Sequence, residues 1–148
     1  MTLHFEDYHK GQTFDCGSYA VTKEEILEFA GEFDPQPIHL DEEAAKASLL
    51  GGLAASGWHV CAVAMRLACD GLFLKSANRG SSGVEEARWM KPVRPGDRLR
   101  LEVTILDLSE PASRPDVGFV KMQWRLFTDA GQVAELIVTP RVARRSAA

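Results

Sequence analysis

The spacing of apolar positions changes character along the chain, and each change marks an element. TFDCGSYAV, residues 13 to 21, carries the β-branched and aromatic residues of a strand. From Thr22 the period lengthens: Ile26, Leu27, Phe29, Ala30 and Phe33 fall at helical spacing, Thr22 is a good N-cap, and Glu25 stands three residues on as its capping-box partner. This helix is expected to stop by Phe33, because Asp34 and Gln36 each precede a proline and are steered out of the α region. Asp41 can cap a second short helix, EEAAKAS, which runs into Gly51 and Gly52.

ASGWHVCAVAMRLACDG, residues 55 to 71, has Arg66 as the only charged residue before Asp70 and is apolar nearly all round. Such a helix is expected to be buried, with Ser56 as N-cap and Asp70–Gly71 at its end; three or four turns are too few to cross a bilayer. The second half changes again. Residues 84 to 90, 98 to 108, 117 to 128 and 132 to 142 alternate or are β-rich, with turns at KPVRPGD, SEPASRPD and DAG. No crossover helix separates these strands, so an antiparallel sheet wrapped around the apolar helix is expected, an α+β fold. No internal repeat or second domain is visible, and residues 1 to 148 read as one domain.

Composition narrows the function classes. The 148 residues are 45% hydrophobic and 26% charged, as in a water-soluble domain. The formal charge of −4 argues against a nucleic-acid partner. Arg88, Lys91, Arg94, Arg98 and Arg100 form a local basic run, and Arg141, Arg144 and Arg145 a second, to be read as solvated rims or as a patch for a small phosphorylated ligand. Cys16, Cys61 and Cys69 match no zinc or redox spacing and are expected to be reduced and mostly buried. MTLHFEDYHKGQ lacks the apolar stretch of a secretory signal or membrane anchor, so a cytoplasmic location and no membrane partner are expected.

Three motifs then stand in order over residues 29 to 101: FAGEFDPQPIH, with the form FA-x-x-x-D-x-x-P-x-H; GGLAASGWH at the start of the apolar helix; and WMKPVRPGDRL, a proline-glycine-aspartate turn opening a strand. In these the chain resembles the MaoC-like dehydratases, the family that includes the (R)-specific enoyl-CoA hydratases. The resemblance implies a hot-dog fold, a homodimer, an acyl-CoA or acyl-carrier-protein thioester as substrate, and neither cofactor nor metal. It also implies that Asp34 and His39 are the catalytic pair, with Gly57 at an oxyanion hole and Gln36, Pro37, Ser56 and Trp58 near the substrate. Two positions depart from the pattern of many such hydratases: Gln36 stands where they have Asn, and Ser56 where they have His.

The residue chemistry is compatible with that role. Histidine, with an ordinary pKa of about 6.5, can take and return a proton near neutrality, while an aspartate at about 3.9 stays ionised and can hold a water. A fully extended segment would separate positions 34 and 39 by roughly 15 Å at about 3.1 Å per residue, so sharing one water requires a bend. Gly57, at a helix N-terminus, offers free N–H groups and room for an approaching carbonyl. Plainer roles exist for each: Asp34 as a turn former, Asp41 as a helix cap, His59 as a hydrogen-bonded core histidine, Ser56 as a cap, and Trp58, Trp89 and Trp124 as packing. His39 with Asp41 as metal ligands lacks further donors at a convincing spacing. The functional alternatives are a hot-dog thioesterase, for which Asp70 is the only carboxylate on the central helix, and a non-catalytic acyl-thioester binding module.

Overall fold

The computed structural model describes residues 1–145; residues 146–148 of the expected domain lie outside the described part. Five strands form one antiparallel path in the order β1-β3-β4-β5-β2, with a short β6 pairing with β4. They are β1 (Thr13–Ala20), β2 (Val84–Trp89), β3 (Arg98–Ser109), β4 (Val117–Thr128), β5 (Gly131–Val138) and β6 (Arg141–Ala143). The helices are α1 (Lys23–Phe33), the single turn α2 (Pro37–Leu40), α3 (Glu42–Lys46) and α4 (Gly57–Gly71).

Alternation in the long strands decides which face is dry. Leu99, Leu101, Val103 and Ile105 of β3 and Val120, Met122, Trp124 and Leu126 of β4 are all buried, while the residues between them are wetter. Register puts Leu101 opposite Leu126 and Val103 opposite Trp124, and Trp124 in turn opposite Leu136 of β5. This inner face receives α4 through Val60, Val63, Ala64, Leu67 and Ala68. Ala64 and Ala68 have no exposed surface, and their small side chains let the helix lie close to the sheet.

Three details differ from the sequence expectation. First, α4 is buried along one stripe only: Trp58 is 65% and Met65 46% exposed, because the sheet covers one side of the helix. With the 3-10 turn that follows, Gly57–Lys75 is long and apolar enough by length and composition to cross a membrane, yet its apolar side is taken up by the sheet. Second, the expected strand 132–142 is split at Thr139–Pro140, since proline has no N–H to give the ladder; the chain resumes as β6 against the start of β4. Third, Thr22 caps α1 by accepting from the Glu25 N–H, but the Glu25 carboxylate takes the Tyr19 hydroxyl at 2.9 Å instead of closing a capping box.

The basic run does not form one patch. Arg88 pairs with Glu86, Arg100 with Glu102, Arg98 meets Ser18, and Lys91 donates to Ala130 O. In the second run Arg144 reaches Glu6 and Glu110, and Arg145 reaches Asp7. All three cysteines are free; Cys16 is buried and Cys61 and Cys69 partly so.

The PGD motif is a hydrogen-bonded turn. Asp97 N–H returns to Arg94 O at 3.0 Å with Pro95 and Gly96 between, and Gly96 sits at φ +88°. A Cβ there would meet nothing within 4 Å, so Gly96→Ala isolates the conformational cost. We expect it to lower stability by about 1–2 kcal/mol in urea titration, without change in the slope with denaturant.

Candidate active site

The segment FDPQPIHLD bends by two proline-dependent devices. Gln36 N–H returns to Asp34 O at 2.8 Å across Pro35, a three-residue turn that suits the fixed φ of proline. Pro37 then occupies the first position of α2, where its missing N–H costs nothing, and two residues later His39 faces back toward Asp34. His39 Nε2 lies 3.4 Å from Asp34 Oδ2.

Each partner is held from behind. His39 is buried, and its Nδ1 stands 2.8 Å from Ala54 O. A carbonyl can only accept, so Nδ1 carries a proton, and Nε2 is the ring nitrogen turned toward Asp34. Asp34 Oδ2 accepts from Ser56 Oγ at 2.6 Å and Oδ1 from the Gln36 side-chain amide at 2.6 Å. The Ser56 hydroxyl, foremost, and the Gln36 amide hold the Asp34 carboxyl below its ordinary pKa, so it remains an anion. An anionic oxygen and an imidazole nitrogen thus stand side by side at the cavity, a pair able to hold a water when Nε2 is unprotonated.

Ser56 ties this pair to the central helix. Fully buried, it spends its proton on Asp34 while its oxygen accepts the Trp58 N–H at 3.3 Å, capping α4. The first-turn N–H groups of Gly57 and His59 have no acceptor within the helix itself. Packing gives a further reason for a glycine at position 57. The space a Cβ would fill is occupied by the Trp89 indole, with ring atoms 2.6 Å from that point, and Trp89 Nε1 donates to Gly57 O at 2.9 Å.

Asp34, His39, Gly57 and Trp58 line one cavity of about 390 Å³, together with residues the motifs did not single out, among them Leu49, Leu50, Val60, Trp89, Met90 and Lys91. Gln36, Pro37 and Ser56 lie behind this lining: Gln36 and Ser56 hold Asp34, and Pro37 starts α2. Of the three tryptophans only Trp124 is core; Trp58 and Trp89 meet edge to face, 5.6 Å apart, at the cavity. Their neighbours in sequence gave no sign of this, because the position of Trp89 on an edge strand beside the start of α4 is a matter of topology. His59 is buried as expected but stacks on Phe29 at 4.7 Å, its Nδ1 without a hydrogen-bond partner among the described residues, and burial pushes its pKa down. Asp41 caps α3, accepting from Glu43 and Ala44 N–H. Asp70 pairs with Arg66 at the opposite end of α4.

A curved antiparallel sheet around one apolar helix, with an Asp–His pair at that helix's N-terminus, defines the hot-dog dehydratase class. Comparison with known proteins agrees: the model of the MaoC like domain matches residues 7–118. A solved MaoC-like dehydratase from Rhodospirillum rubrum is 45% identical and superposes with a TM-score of 0.90, over 97% of this chain and 98% of that one. An uncharacterized protein, YdeM, of Bacillus subtilis is 34% identical over 105 residues, 71% of this chain and 74% of its own length. An (R)-hydratase from Pseudomonas aeruginosa, 21% identical, shares the fold at a TM-score of 0.74 over 97% of this chain and 88% of that one. The chain belongs to the MaoC-like family.

Ser56→Ala removes a donor to Asp34 and the helix cap together. Because the folded carboxyl is shifted below its unfolded value, the stabilisation from its donors is present above about pH 4 and is lost as pH falls through the lowered folded pKa. The stability gap between wild type and Ser56→Ala, read by urea unfolding at each pH, should therefore narrow on acidification, leaving about 0.5–2 kcal/mol from the cap. A gap that does not move with pH would mean that the hydroxyl does not serve the carboxylate.

Proposed function

We propose that this protein reversibly adds water to a 2-enoyl thioester of coenzyme A, giving a 3-hydroxyacyl thioester, with acyl carrier protein as the other carrier this reading admits. One observation carries it: Asp34 Oδ2 and His39 Nε2 come within 3.4 Å of each other, in a cavity that both line together with Gly57 at the N-terminus of α4. Family membership supports the reaction class and the (R) configuration of the product. A cytoplasmic location goes with this reading.

A water held between the two acceptors gives a proton to His39 Nε2 as its oxygen bonds to the β-carbon. Electron density moves through the double bond to the thioester oxygen, where the dipole and N–H groups at Gly57 stabilise the enolate. The imidazolium then returns the proton to the α-carbon, so one water is consumed and no net proton. Asp34, kept anionic by Ser56 and Gln36, steadies the imidazolium in between.

His39→Ala is expected to reduce hydration of crotonyl-CoA by about 10² to 10⁴, and Asp34→Asn to reduce it in the same assay. Activity within a few-fold of wild type in both would remove these roles. Free thiol release from acyl-CoA would point to the thioesterase, and tight binding without turnover to a binding module.

Assembly belongs to the same reading. β2 is an edge of the sheet, and Val84 and Trp89 at its two ends are exposed, as are Trp58 and Met65 on the uncovered stripe of α4. An apolar edge of this kind calls for a partner strand. Pairing β2 with its own copy about a two-fold axis sets the Val84 end of one protomer against the Trp89 end of the other. The apolar hollow of about 370 Å³ lined by Met65, Phe73, Val84 and Trp124 would then extend the partner's catalytic cavity. Sedimentation should give twice the 16.3 kDa chain mass at micromolar concentration. A species of single-chain mass alone would contradict the pairing.

A further inference from the structure

Arg94 stands outside the catalytic cavity, yet its contacts converge on the loop that supports both members of the pair. Its guanidinium donates to Gly52 O at 2.7 Å, to Leu53 O at 3.3 Å and to Leu50 O. The nearby Asp97 carboxylate does not compete: Oδ2 is turned to the Arg94 backbone N–H at 2.8 Å. Space for the fork is built into the loop, because a Cβ on Gly52 would come within 3.2 Å of the guanidinium nitrogen. The adjacent Val93 O accepts the Ala55 N–H at 2.9 Å. The segment 50–55 is therefore gathered by 93–94 from one side, and the next groups along it are Ala54 O, which meets His39 Nδ1, and Ser56 Oγ, which meets Asp34.

We propose that Arg94 is a positioning residue: by gathering the carbonyls of Leu50, Gly52 and Leu53 it aims Ala54 O at His39 Nδ1, which fixes the tautomer that leaves Nε2 free to accept a proton. The catalytic consequence rests on the hydratase reading; the positioning itself does not. A planar fork with several N–H groups is needed, since three carbonyls at different points of one loop exceed what a single ammonium can hold in fixed geometry. The anchor is rigid because the turn that carries Arg94 is itself tied to the start of α1, with Gly96 N–H on Val21 O and Val21 N–H on Asp97 O, both at 2.8 Å.

The test compares wild type, Arg94→Ala, Arg94→Lys and, as a surface control, Arg98→Ala. The first readout is the long-range ¹⁵N–¹H spectrum of the four histidine rings, with His39 assigned by its loss in a His39→Gln variant. In wild type and Arg98→Ala, His39 should show a protonated Nδ1 and a bare Nε2. In both Arg94 variants the two nitrogens should move toward an averaged tautomer. The second readout is crotonyl-CoA hydration, where kcat should fall by about 10- to 100-fold with KM within about three-fold, and the acid limb of the pH profile should shift. Should Arg94→Ala fail to fold, Arg94→Lys, which keeps the stem and the charge, reads the same signals. A folded Arg94 variant with an unchanged His39 pattern overturns the proposal, whatever its thermal stability. If wild type hydrates no enoyl-CoA the functional reading falls, and the ring spectra still decide the positioning.

Discussion

The packing of α4 against the inner face of the sheet is the constraint from which the site is measured. The helix can be placed only where Ala64 and Ala68 meet the strands and Val63 and Leu67 fill the space between. Its N-terminus is thereby fixed, and with it Ser56 and Gly57. Asp34 and His39 arrive from a separate segment and are located by reference to that end, Asp34 through Ser56 Oγ and His39 through Ala54 O. A shift of the helix along its axis would move both partners' supports together, which makes core packing and the geometry of the Asp34–His39 pair one problem.

Much of this was legible in the sequence because it is local. The caps at Thr22, Asp41 and Ser56, the stop at Phe33 and the alternation of β3 and β4 follow from residues within a few positions of one another. The bend at 34–39 was required by distance, but its form was not deducible. It uses a three-residue turn and a one-turn helix, each tolerated because a proline removes an N–H that would otherwise want a partner. What stayed hidden is long-range. Ser56 reaches back 22 residues to Asp34, Trp89 reaches 32 to Gly57, and Arg94 reaches 41 and 42 to Leu53 and Gly52. Local periodicity carries no information on such pairs.

Tertiary context also reassigned residues by exposure. Trp58 and Trp89 lie at the cavity because the sheet has an end there, not because of any property of their neighbours in sequence. The same open side explains why a helix apolar nearly all round keeps Met65 in solvent. His59 shows the opposite case: the first turn of α4 buries it against Phe29, where aromatic stacking replaces the hydrogen bond that a core histidine usually finds.

The other margin of the sheet, β1, carries a register shift between Asp15 and Ser18, where two residues face one of β3. Donors and acceptors on its outer rim are thrown out of step there, so a second chain approaching that side would find no continuous ladder to extend. Growth of the sheet into a ribbon is therefore discouraged at one boundary while the opposite boundary stays open, which favours closed assemblies over fibrils.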